Sequence, residues 1–394
     1  MAISSYDPFD PEIIADPYAH YAFLRESAPC YRVAERNIYV LSRYDDVRAA
    51  LSNTTVFSST EGVGFERRPV PMLIAQDPPQ HTRLRRIVAG RFTPRALAQW
   101  NARIESIAHA LFDPLVDAGP VDLVSALAAP FPVQVIAEMM DIPIEQRADF
   151  KRWSDNTVLA LSGAVDLTPA EREKVEATLL EFAMYFGGVI RERAPTSNER
   201  DDLISLLIRP NDEGERLDDM EIISFCVLLL VAGNETTTNL IGNSVRQFAD
   251  QPADWQRLAA EPGLVRAAIE ESLRHEAPIQ GFFRNTREAI EVADGVIPAN
   301  EKVMLLYAAA NRDPRKYDEP DTFRIGRSSI EHLAFGFGPH TCLGAHLARL
   351  ETKLLFERAL AQVARFELAG PAVRSKNPLL RGFESMPVRD VPKR

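Results

Sequence analysis

Apolar residues recur every three or four positions along six stretches: "YDDVRAAL" (44–51), "RIESIAHALFDPLV" (103–116), "FPVQVIAEMM" (131–140), "REKVEATLLEFAMYFGGVIRERA" (172–194), "PGLVRAAIEESLRH" (262–275) and "GAHLARLETKLLFERALAQVA" (344–364). That period predicts helices with one buried face. A longer helix is expected after Asp218, which has Glu221 three residues on in a capping-box pattern; Pro252 sets its far limit near Ala249. About 30 residues give roughly 45 Å, enough to cross a whole domain. Strand-like pieces are short: "CYRVAERNIYVLS" (30–42), "VIPANEKVMLLY" (296–307) and "VRSKNPLLRGFESMPVRD" (373–390). "ERAPTSNERDD" (192–202) and "RPNDEGERLDD" (209–219) read as loops. The expectation is a mainly α protein with small β-sheets, one of them in a β-rich subregion near the N-terminus.

Composition narrows the class. With 394 residues and 46% hydrophobic content the chain can bury a large core. A net charge of −11 argues against nucleic acid as a partner, since phosphate binding needs a basic surface. Cys30, Cys226 and Cys342 are far apart and form no CxxC pair, so neither a disulfide framework nor a structural zinc site is expected. The start, "MAISSYDPFDPEIIADPYAHY", is acidic and proline-broken, unlike a signal peptide or anchor. The most apolar run, "IISFCVLLLVAG" (222–233), is shorter than the ~18 residues of a membrane span. A cytoplasmic protein without membrane association is expected.

The unusual chemistry lies in "FGFGPHTCLG" (335–344). Gly336, Gly338 and Gly344 permit close backbone approach, Pro339 stiffens the turn, and Cys342 is presented just before a helix, whose N-terminus favours a thiolate. Three readings stand side by side: a buried structural cysteine, a nucleophile with His340 as base, and an axial thiolate to a haem iron. Cys30 and Cys226 read as structural. Elsewhere, Thr236 and Thr237 interrupt an apolar helix at "LLLVAGNETTTNL", where a threonine can bond back to a carbonyl one turn earlier. Glu271 and Arg274 share a helix face, as do His81 and Arg85 in "DPPQHTRLRR". Taken alone, the first is an exposed ion pair and the second a solvated basic face.

The ten residues 335–344 closely resemble the haem-binding signature of the cytochrome P450 superfamily, with Phe335, Gly336, Gly338, His340, Cys342 and Gly344 in pattern. The likeness extends over nearly the whole chain and is closest to the soluble bacterial members. It implies a single haem-centred domain over residues 1–394, haem b as cofactor and Cys342 as iron ligand. By the same resemblance, Ala232, Gly233, Glu235 and Thr236 form the oxygen-activating motif, with Glu235 and Thr236 handling protons. Glu271 and Arg274 form the Glu-x-x-Arg motif, completed by Arg327. His81, Arg85, Arg284 and His340 are implied partners of the haem propionates. Val63 and Phe65 (within Gly62–Phe65), Thr157–Leu161, Leu228, Val231, Ala232, Ile279, Phe282, Phe283 and Phe383 (within Phe383–Ser385) map to the substrate pocket.

The activity implied is a monooxygenase that inserts one atom of O2 into a hydrophobic small molecule. No flavin or iron–sulfur segment is recognisable, so electrons would come from a ferredoxin or flavodoxin with its NAD(P)H-dependent reductase. Arg83 and Arg86 are candidates for that docking patch, and Arg67 or Arg68 for meeting a substrate carboxylate. Two rival readings are a peroxide-driven hydroxylase, which the Glu235–Thr236 pair counts against, and a non-enzymatic haem-binding module.

Overall fold

The computed structural model describes residues 3–161, 168–292, 294–328 and 330–393, apart from the side chains at 144, 148, 155 and 157–161. Helices fall where the apolar spacing predicts them: Tyr44–Ser52, Asn101–Phe112, Pro130–Met139, Pro169–Arg193, Val265–His275 and Ala345–Gln362. Two end earlier than the pattern suggests. Pro114 stops the second, and the last gives way at Val363 to the strand Val363–Leu368.

The long helix spans Asp219–Asp250. Its capping box is formed in both directions, Glu221 N donating to Asp218 Oδ1 (2.8 Å) and Asp218 N to Glu221 Oε2 (3.0 Å). It packs against the helices Pro130–Met139, Arg147–Leu161 and Ala345–Gln362. Among the described residues it is the one helix long and apolar enough to cross a membrane. Here its apolar sides go instead to the core and to the cavity described below, with Cys226, Leu230, Leu240, Ile241 and Val245 buried.

A five-stranded sheet has the order Cys30–Val33, Ile38–Leu41, Lys302–Leu305, Phe282–Thr286, Phe57–Ser58. The strand-like piece 30–42 folds as a hairpin of the first two strands, turned by Asn37 in the left-handed region (φ 52°). Among the described residues only Ile38–Leu41 and Lys302–Leu305 pair in parallel, tying the N-terminal segment to residues near 300. Val363–Leu368 pairs with Pro387–Pro392, which also pairs with Val121–Asp122. The main hydrophobic cluster runs from Tyr6 to Val388 in sequence. The central helix, the Ala345–Gln362 helix and the sheet strand Phe282–Thr286 together surround one cavity.

Candidate active site

The cysteine loop is built by its own backbone. Cys342 N donates to Phe335 O (2.8 Å), and Thr341 donates to Gly338 O from both its N–H (3.1 Å) and its hydroxyl (2.8 Å). Gly336 (φ 67°) and Gly338 (φ 69°) occupy the left-handed region, and a Cβ on Gly338 would stand 3.1 Å from Leu51 O and from Ser52 Cα. Cys342 lines the cavity. Burial by protein pushes its thiol pKa up, against the N–H groups of Gly344 and Ala345 and the charges of Arg85 and Arg349. The helix N-terminus and the two arginines thus favour the thiolate while desolvation opposes it, and a bound metal cation would hold the sulfur deprotonated.

Four basic side chains border the same cavity. His81 and His340 have ring centroids 4.2 Å apart, Arg85 donates to Thr341 O (2.6 Å), and Arg284 donates to Phe283 O (2.8 Å). His81 Nε2 is buried with no partner among the described residues. Burial, then repulsion from Arg85 and Arg284, pushes His81 down to about 4; burial, then Arg284, His81 and Arg85, pushes His340 down to about 2. Basic groups gathered this closely mark a place for anions.

The cavity holds about 330 Å³. The central helix supplies one wall through Leu228, Val231, Ala232, Gly233, Glu235 and Thr236. Thr236 Oγ1 donates to Ala232 O (2.7 Å), the back-bond anticipated for this position, which leaves its oxygen free to accept. Glu235 has no partner among the described residues, and burial alone pushes it up to about 7. Gly233 is where this helix meets Ile136: an added Cβ would be 2.7 Å from Ile136 Cδ1.

Behind the loop, Glu271 and Arg274 are fully buried. Glu271 accepts from Arg274 Nε (2.8 Å) and Nη2 (2.7 Å), from Arg324 N (2.8 Å) and from Arg327 Nε (3.0 Å). Arg274 and Arg327 spend their remaining donors on carbonyls of residues 311–322. The third member is therefore joined as expected, and the cluster fastens the segment leading to the cysteine loop.

The comparisons with known proteins converge on one family. The family model described as Cytochrome P450 matches residues 164–386. The chain is 37% identical to the beta-dihydromenaquinone-9 omega-hydroxylase of Mycobacterium tuberculosis, over all of this chain and 80% of that one. It is 35% identical to cytochrome P450 107B1 of Saccharopolyspora erythraea, over 97% of this chain and 96% of that one. The chain belongs to the cytochrome P450 family. Among solved structures it superposes on the P450 CYP109Q5 of Chondromyces apiculatus with a TM-score of 0.89, 37% identity and 98% coverage of both chains. The P450 CYP109E1 of Bacillus megaterium, in complex with corticosterone, gives a TM-score of 0.88 at 32% identity, covering 96% of this chain and 99% of that one. The chain is thus a P450 monooxygenase, and the family implies a haem cofactor. The basic cluster with a His81 Nε2 that has no partner among the described residues, and the thiol that lines the same cavity, fit that group.

This P450 corrects part of the sequence reading. Gly62, Val63, Gly64 and Phe65 line the cavity, as do Ile279 and Phe282. Phe283 does not: it lies in the core against Phe65 (centroids 5.9 Å) with Lys302 above it. Strand alternation is the reason, because Phe282 and Arg284 face the cavity and the residue between them must face away. Phe383 is also off the wall, packed on the central helix at Gly242 with Arg374 over its ring (4.0 Å). Leu379 and Leu380 take that stretch of wall instead. The side chains of Thr157–Leu161 lie outside the described residues. Arg83 pairs with Glu221 (2.6 Å), and Arg86 pairs with Glu215 and Glu213, so neither is a free cation for docking. Arg67 is held by Glu61 (2.9 Å) and Asn300 O; Arg68 is exposed at the cavity mouth.

Among the residues of the P450 cavity that the sequence reading did not name, one is a buried carboxylic acid. Glu351, on the Ala345–Gln362 helix, is 2% exposed and lines the cavity, and its Oε2 has no partner. Burial alone pushes it up to about 8.

Proposed function

We propose that this P450 hydroxylates a hydrophobic small organic substrate with O2, on haem b, using electrons delivered by a ferredoxin or flavodoxin and its reductase. The observation that carries the reading is that the Cys342 thiol, the four basic groups and the Glu235–Thr236 pair all open into one cavity with mostly apolar walls. Cys342 would hold the iron, and His81, Arg85, Arg284 and His340 would hold the propionates. When bound, the haem supplies the reduction and splitting of O2, which consumes two electrons and two protons.

The chain's own groups deliver those protons. Glu235, with a pKa of about 7, is part protonated near neutrality and can both release and regain a proton. Thr236 keeps its O–H on Ala232 O, so its oxygen accepts a hydrogen bond from a water or from protonated Glu235. The apolar walls orient a hydrophobic substrate and keep out bulk water. Relatives point to the same substrate class: one is named for omega-hydroxylation of beta-dihydromenaquinone-9, and one is solved with corticosterone. The hydrophobic cluster running from Tyr6 to Val388 supports taking residues 1–394 as a single haem-centred domain. The three free cysteines suit a cytoplasmic setting.

The test is the absorption spectrum of the reduced, carbon-monoxide-bound protein. The strongly red-shifted Soret band of a thiolate-ligated haem is expected. A band typical of histidine-ligated or neutral-thiol haem would overturn the role given to Cys342. Product formed with peroxide but not with O2, ferredoxin and reductase would replace the hydroxylase reading with the peroxide-driven one.

A further inference from the structure

Glu270 stands beside Glu271 on the Val265–His275 helix but serves a different cluster. Its two oxygens take the fork of Arg349 on the Ala345–Gln362 helix, Nε to Oε1 at 2.5 Å and Nη2 to Oε2 at 2.8 Å. Oε2 also meets His332 Nε2 at 3.2 Å. Ala334 N donates to His332 Nδ1 (3.3 Å), so the proton of the neutral imidazole sits on Nε2 and is donated to Glu270. Burial raises the Glu270 pKa, but the hydrogen bonds from Arg349 and His332 outweigh it and hold the carboxyl down at about 2.

The fork aims the guanidinium at one place. Arg349 Cζ lies 4.5 Å from the centroid of the Phe335 ring, and the His332 ring is 5.8 Å from the same centroid. Phe335 borders the cavity beside Cys342, and its carbonyl accepts from Cys342 N (2.8 Å). A guanidinium fixed by its carboxylate therefore sits against Phe335, one aromatic ring away from the cavity. Both side chains of the pair are part-buried, Arg349 27% and Glu270 17% exposed.

We propose that Glu270 and Arg349 are positioning residues that set the reduction potential of the iron at Cys342, by fixing a guanidinium charge on the outer face of Phe335. The inference rests on the haem–thiolate reading above. The step concerned is the uptake of one electron from the redox partner, which makes the site more negative by one unit. A nearby cation stabilises the reduced form and raises the potential; a nearby anion lowers it. The two members of the pair therefore act with opposite sign.

The experiment is a spectroelectrochemical titration of the haem-loaded protein as wild type, Arg349→Gln, Glu270→Gln and Arg349→Lys, at one pH and ionic strength. Arg349→Gln is expected to lower the ferric/ferrous potential and Glu270→Gln to raise it. Arg349→Lys keeps the charge and should lie nearer the wild type than Arg349→Gln does. Shifts of both Gln variants in the same direction, or no shift in either, would overturn the proposal, because a pair that merely props up the loop has no sign. If Arg349→Gln does not take up haem, Glu270→Gln decides alone: a rise supports the proposal, and a fall or no change overturns it. Failure of the underlying reading is told apart in the wild type, whose reduced, carbon-monoxide-bound spectrum would then lack the thiolate-type Soret band.

Discussion

Replacing Glu351 by Gln should stabilise the protein at alkaline pH and leave it nearly unchanged in acid. The buried carboxyl has no partner for Oε2, and burial moves its pKa from 4.5 to about 8. The folded state therefore binds this proton more tightly than the unfolded chain does. A raised folded pKa makes a contribution that is fully present below 4.5 and is lost as pH rises through about 8. Over that window the wild type should lose about 1.4 kcal/mol per pH unit relative to a side chain that cannot ionise, with a ceiling of roughly 5 kcal/mol. Water entering beside the carboxylate lowers the ceiling without changing the sign. Glutamine is close in size, so the difference between the two proteins isolates this one titration from all others. Urea unfolding of the haem-loaded proteins across the window gives the two curves. They should run together in acid and separate towards pH 8, with the variant the more stable. An infrared carboxylic-acid carbonyl band that is absent from the variant should persist through that window and fade only as pH rises through about 8. Parallel stability curves would refute the reasoning, since Glu351 would then be ionised and paired in solution.

Four further outcomes follow from the geometry. Glu271→Ala leaves the buried Arg274 guanidinium without its carboxylate and should cost about 3–5 kcal/mol in urea unfolding, whereas Glu271→Met combined with Arg274→Met should cost less than the two single changes added. Thr236→Ala removes the hydroxyl bonded to Ala232 O and should leave haem binding intact while raising the share of electrons lost to peroxide or water, measured as product per NAD(P)H consumed. Glu235→Gln should remove the arm of the turnover–pH profile centred near pH 7, because only the protonated acid donates and the amide does not titrate; an unchanged profile would assign that arm elsewhere. Gly338→Ala meets the backbone of Leu51 and Ser52 at 3.1 Å in a left-handed conformation and should lower haem occupancy, read from the ratio of Soret to protein absorbance.

How much of this was legible in the sequence depended on distance along the chain. The cysteine loop, the Glu235–Thr236 pair and the Glu271–Arg274 pair are each local, so a motif or an i,i+3 spacing is enough to read them. The central helix was legible from its cap and its apolar run, because both are properties of neighbouring residues. The cavity walls were legible only in part: Val63, Phe65, Leu228, Val231, Ala232, Ile279 and Phe282 line it, whereas Phe283 and Phe383 do not, since a wall depends on which side of a strand or helix faces inward. For Phe283 the missing step was itself local: a cavity-facing Phe282 and Arg284 force the residue between them to the other face. For Leu379 against Phe383 no such rule existed, as the segment is irregular until Phe383–Ser385. Glu351 hid for a related reason. It lies in a charged helix pattern that reads as solvent-facing, yet that helix packs against the helices Asn101–Phe112, Val265–His275 and Asp219–Asp250.

The adjacent carboxylates Glu270 and Glu271 show the limit most sharply. Successive residues on a helix point about 100° apart, so neighbours in sequence can serve different neighbours in space. Glu271 turns to Arg274, three residues away, and the pairing can be read by eye. Glu270 turns to Arg349, 79 residues away on another helix, and to His332, 62 residues away. Without the fold, nothing distinguishes Glu270 from a solvated helix charge. With it, the residue becomes the anchor of the cation behind Phe335. The local pair holds the chain that approaches the cysteine loop, and the distant pair holds the ring beside the cysteine. Two substitutions at consecutive positions should therefore separate cleanly: loss at Glu271 in stability, and change at Glu270 in potential.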